Sequence, residues 1–151
     1  MVNRTVKVIV LSSIAFAIAT AYFYMSKEAD VKTIRIGNSY IQVEIADFAL
    51  AQARGLSGRG NLGQNSGMLF VFKDKRTRNF WMKDMRFDID ALWIDQNQVI
   101  GMLENIPFEP KNGQITGFQS KVPVDMVLEV NAGWIAKNGI KIGDLASIDT
   151  N

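Results

Sequence analysis

The sequence predicts a mostly β fold with a minor α component. The expected form is a compact antiparallel sandwich or barrel-like sheet with two short helices, preceded by an N-terminal transmembrane helix. Three observations point there. Stretches such as Tyr40-Ile41-Gln42-Val43-Glu44-Ile45 alternate apolar and polar residues with the period of two that a strand requires. Gly, Pro, Asn and Asp punctuate these stretches, and strand patterns rarely alternate with helical ones, which disfavours a parallel βαβ sheet. An uncharged run over residues 8–25 precedes everything else.

As a helix that run spans about 27 Å at about 1.5 Å per residue, close to the hydrocarbon thickness of a bilayer. Arg4 and Lys7 precede it and orient the N-terminus to the cytoplasm, while Tyr22, Phe23 and Tyr24 sit where an aromatic belt lies. The competing reading is a signal peptide, cleaved after Ala17-Ile18-Ala19 or Ala19-Thr20-Ala21. The domain reading is therefore residues 1–25 as anchor or signal peptide, 26–32 as linker and 33–149 as a β-rich domain. The expected localisation is a single-pass membrane protein with its C-terminal domain extracytoplasmic, or a secreted domain after cleavage.

Residues 31–36 and 40–45 flank Gly37-Asn38, a hairpin signal. Asp47 is placed to cap a short helix over residues 48–54. Residues 55–67 form a loop with five glycines, and Met68-Leu69-Phe70-Val71-Phe72 reads as a central, fully apolar strand. Residues 73–76 read as a charged turn and 77–83 as a strand. In that strand Phe80 and Met82 share one face, expected in the core, and Trp81 and Lys83 share the other. Residues 89–95 and 99–104 form a second hairpin around Gln96-Asn97-Gln98. Residues 105–123, rich in Pro and Gly, read as an irregular excursion. Residues 124–130 read as a strand. Asn131 is placed to cap a helix over 132–138, closed by Gly139 with Ile140 packed behind it, and a last strand covers 145–148.

Composition removes several chemistries. The 151-residue chain has no Cys and no His, so thiolate nucleophiles, Ser-His-Asp triads and imidazole or thiolate metal sites are excluded. From Lys27 onward 15 basic and 15 acidic side chains balance, which gives no basis for nucleic-acid binding.

Four stretches together resemble one family. Arg54-Gly55-Leu56-Ser57-Gly58-Arg59, Gly67-Met68-Leu69-Phe70-Val71-Phe72, Phe80-Trp81-Met82-Lys83 through Asp90, and Val127-Leu128-Glu129-Val130-Asn131-Ala132-Gly133 follow the order and spacing of the prokaryotic family domain of unknown function 192. The resemblance covers about residues 33–149 and implies a compact β-rich fold, often exported, with no established activity. Phe87-Asp88 and Phe108 depart from the family's usual isoleucine-proline and proline or cysteine residues.

The candidate binding residues are Arg54, Arg59, Trp81, Lys83, Asp84 and Asp90, all within those stretches. Two guanidiniums and glycine-loop amides suit a carboxylate, a phosphate or sugar hydroxyls. The alternative is that the arginines pair with acids such as Asp84, Asp90 and Glu129 and hold the loop down. The loop lacks the Gly-Lys-Ser/Thr of a nucleotide P-loop. Asp84, Asp88 and Asp90 lack EF-hand spacing, so no metal is assigned, and no cofactor or catalytic residue either. Trp81, Trp93 and Trp134 suit either a sugar-stacking surface or the core. Two functional classes follow. One is a membrane-tethered module binding a small polar or anionic ligand or a cell-envelope partner. The other is a carboxylate- and arginine-based hydrolase or lyase acting on a sugar or other small polar substrate.

Overall fold

The computed structural model describes residue 10 and residues 13–16, 30–108 and 113–148. Most of the expected N-terminal anchor lies outside the described residues, and no described helix is long and apolar enough to cross a membrane. The domain itself is mostly β.

Strands β1 (Val31–Ile36) and β2 (Ser39–Ala46) pair antiparallel around Gly37-Asn38, with Ile36 opposite Ser39. Helix α1 (Ala49–Arg54) and the glycine loop then lead to β3 (Ser66–Arg76). β3 runs parallel to β2, with Val43 opposite Gly67 and Ala46 opposite Phe70. This is the one parallel pair in the otherwise antiparallel sheet among the described residues: a loop that carries a helix has the reach to return the chain in the same direction. β3 also continues through the segment expected as a charged turn.

The remaining strands are β4 (Asn79–Trp81), β5 (Ile89–Asp95), β6 (Gln98–Ile106), β7 (Gly117–Gln119), β8 (Val124–Asn131) and β9 (Ala146–Ile148). Helix α2 (Trp134–Asn138) lies between the last two. The β5–β6 hairpin turns on Gln96 and Asn97, both at positive φ, as a two-residue primed turn requires. Seven strands form one sheet in the order β6-β5-β8-β3-β2-β1-β9, curled into a half-barrel rather than a sandwich. An antiparallel bridge between Gln98 and Leu145 draws its two edges together. β4 and β7 form a separate ribbon, and β7 falls inside the stretch expected to be irregular.

Period two gives the curled sheet two apolar faces. One holds Ile36, Val43, Leu69, Leu92 and Leu128, with α2 set against it through Trp134 and Ile135. The other holds Phe70, Ala91, Trp93 and Val127, covered by Leu56 of the glycine loop and Met82. Neither helix has the expected local cap. α1 starts at Phe48 and α2 at Gly133, both without a side-chain cap bond from the N-cap residue. Gly139 closes α2 in the left-handed region, and Ile140 is buried behind it, as expected.

Candidate functional site

The second face does not fill completely. Between it and the α1–glycine-loop segment lies a cavity of about 420 Å³, within the range of small-molecule sites. Its walls include Leu56, Phe70, Phe72, Phe80, Met82 and Met85, and Trp81 stands at the margin, 60% exposed.

Each wall is held by specific contacts. Gln52 Nε2 donates to the Ala46 and Val71 carbonyls at 3.2 and 2.8 Å and docks α1 on β2 and β3. Gly55 takes φ 51° and ψ −135°, a region only glycine enters easily, so the chain turns sharply over the Phe70 ring. Ser57 Oγ donates to the Lys83 carbonyl, and the Gly58 N–H donates to the Asp84 carbonyl, each at 2.8 Å. Arg59 grips Glu44 of β2 with both terminal nitrogens, and Asn131 Nδ2 donates to the Leu62 and Gly63 carbonyls. The glycine loop is thus tied down at both ends. Phe80 meets Phe70 edge-on at 5.1 Å and stacks on Phe118 at 5.4 Å, which fixes the β4–β7 ribbon against the sheet.

Glu129 supplies the buried acid. It lies on β8 in the middle of the sheet, with Met68 of β3 and Ala91 of β5 as cross-strand neighbours. A Cβ at Gly67 would stand 2.8 Å from the Glu129 carbonyl oxygen, so that glycine lets β3 approach closely there. Glu129 is 5% exposed and lines the cavity, and its side chain makes no hydrogen bond or ion pair among the described residues. Burial disfavours the carboxylate form and pushes its carboxyl up to about 8. Near neutral pH the side chain is therefore an uncharged acid.

The charged side chains of the lining are otherwise all arginines: Arg54, Arg76 and Arg78. Arg54 and Arg76 are exposed. Arg78 is buried, its guanidinium 3.7 Å from the Phe72 ring centre. Its Nη2 donates to the Asp74 carbonyl and carboxylate, and Arg76 Nε lies 3.2 Å from the same carboxylate. The Arg78 hydrogen bond holds the Asp74 carboxyl below the usual range. Arg78 Nε is buried without a partner among the described residues.

A family model for domain of unknown function 192, described as Uncharacterized ACR, matches residues 32–148. The chain belongs to this family. Two solved structures share the fold. One, from Sinorhizobium meliloti 1021 and provisionally named a transcription regulator, is 28% identical with a TM-score of 0.71. The match covers 80% of this chain and 95% of that one. The other, a protein of unknown function from Novosphingobium aromaticivorans DSM 12444, is 25% identical with a TM-score of 0.71, covering 81% and 88%. The comparison with curated proteins gives no match.

In this member of domain of unknown function 192, the six candidate residues do not converge. Arg54 and Trp81 line the cavity. Arg59 is paired with Glu44, which also holds the Glu44 carboxyl below its ordinary value; the acid is none of the three expected. Lys83 and Asp84 are exposed and contribute backbone carbonyls to the loop. Asp90 is fully buried on the opposite face, where it accepts from the Asn105 and Ile135 N–H groups at 2.8 and 3.0 Å. Sequence reasoning missed Glu129 as a site residue, and Arg76 and Arg78 altogether. The available signal was a lone acid in the apolar strand Val127-Leu128-Glu129-Val130, on the face opposite Leu128 and Val130.

Proposed function

We propose that the domain is a ligand-binding module, exported behind the apolar run of residues 8–25. Its cavity takes a small molecule with an apolar body and an anionic group. The observation that carries this reading is Glu129. A buried acid without a partner costs stability, and it lines a cavity large enough to admit one. The aromatic walls suit the apolar body and the three arginines suit the anion. The hydrolase or lyase reading requires a second carboxylate about 5–10 Å from the first. Glu129 is the single carboxylate in the lining among the described residues.

The test is a thermal-shift screen of small carboxylates and phosphates. A binder of the native state raises Tm, and Arg54→Ala removes the shift. Absence of any shift across aromatic and aliphatic anions would sink the reading. Export is tested separately: protease added to spheroplasts should digest the domain, and full protection would place it in the cytoplasm.

A further inference from the structure

Among the described residues the lining carries two polar functions of opposite kind without a partner, the Glu129 carboxyl and the Arg78 Nε–H, and the exposed Arg54, whose charge also acts on Glu44, makes no ion pair. A ligand that offers only an anion satisfies the arginines and leaves the buried acid alone. The strongest partner for a buried carboxyl is a cation, and aromatic ring faces attract an ammonium.

We infer that the ligand is a small zwitterion, with its ammonium directed to Glu129 among the Phe70 and Phe80 rings and its carboxylate to Arg54 and Arg78. This rests on the cavity being a ligand site. An α-amino acid with an apolar side chain has that chemistry and fits within about 420 Å³.

The inference has a proton signature. Free Glu129 holds its proton at neutral pH; an arriving ammonium is matched by the carboxylate, so that proton passes to the buffer. The other charged groups facing the site are Arg54 of α1 and Arg76 and Arg78 at and beyond the end of β3, with Asp74 behind them. The arginines stay charged throughout, so the proton count reports Glu129.

The test is isothermal titration of the full chain in detergent, at pH 7, in two buffers of different ionisation enthalpy. The probes are L-phenylalanine, 2-phenylethylamine and 3-phenylpropionate. L-phenylalanine should bind at least about tenfold more tightly than either half-analogue and release about one proton. Its affinity should rise between pH 6 and 8. Glu129→Gln should abolish the release and the advantage over 3-phenylpropionate while leaving 3-phenylpropionate binding unchanged. Arg54→Ala should weaken the two carboxylates and spare the amine. If 3-phenylpropionate binds as tightly as L-phenylalanine without proton release, the zwitterion is wrong and the anion site stands. If none of the three binds, both fall.

Discussion

Asp90 and Glu129 are near neighbours on adjacent strands, with Asp90 opposite Val130 and Ala91 opposite Glu129. Both are buried acids, and they point to opposite faces of one sheet. Asp90 accepts the Ile135 N–H near the start of α2 and the Asn105 N–H where β6 bends at positive φ. It is the cap that α2 lacks locally, supplied from across the sheet. Among the described residues Glu129 has no partner, and it faces a cavity. A buried polar group that is satisfied explains itself by the fold. One that is not satisfied needs another reason. The difference separates a side chain that builds the domain from one the domain holds in reserve.

The largest expected effect tests the built face. Asp90→Ala leaves the buried Ile135 N–H and the part-buried Asn105 N–H without their acceptor and should destabilise by about 2–5 kcal/mol. Urea unfolding measures it. A cost below about 1 kcal/mol would mean that the two faces do not differ as described.

The next effect is a pH dependence that should come from Glu129. Its carboxyl titrates at about 8 in the folded state, against 4.5 as the ordinary value. Between those values the folded state holds a proton that the unfolded state has lost, so stability falls as pH rises. The contribution is fully present below about 4.5 and lost by about 8, with a slope of up to about 1.4 kcal/mol per pH unit. Glu129→Gln should flatten that slope and leave the variant more stable than the parent at pH 8. A parent whose Tm does not fall from pH 5 to 8 would show that the acid is solvated or paired.

How much of this was legible depends on the range of the physics. Strands with clean alternation, such as residues 40–45, and the Gly37-Asn38 hairpin are local and read correctly, and the second hairpin is present but turns on Gln96 and Asn97, with Gln98 already in β6. The two faces of Phe80-Trp81-Met82-Lys83 also read correctly: Met82 is buried and Phe80 half-buried, while Trp81 and Lys83 are exposed. The parallel pairing of β2 with β3 was invisible because it is set by the crossover, not by either strand's composition. β7 is only Gly117-Phe118-Gln119, a strand through its ladder to β4 and the packing of Phe118 on Phe80 and Trp93, neither of which is local in sequence. The caps assigned to Asp47 and Asn131 failed for a non-local reason in the second case: Asn131 is drawn to the glycine loop, and Asp90 serves α2. Glu129 could be read as an acid in a strand. That it lacks a partner is a property of the strands and loops assembled around it.

The smallest effect on stability should come from Trp81, and it bears on whether the cavity has an open mouth. Trp93 and Trp134 are each 4% exposed and Trp81 is 60% exposed, so one of the three indoles faces water. Trp81→Ala removes little buried area and should change stability by less than about 1 kcal/mol. Iodide should quench only the Trp81 share of the emission, helped by the arginines nearby, and Trp81→Phe should remove the quenchable part. The same indole lies where a bound molecule would enter. L-phenylalanine, if it occupies the cavity, should shield Trp81 from iodide, and Trp81→Ala should weaken its binding with Tm almost unchanged. An emission wholly protected in the free protein would show that Trp81 packs inward and closes the cavity, and the face with the unpaired acid would then be as sealed as the face with Asp90.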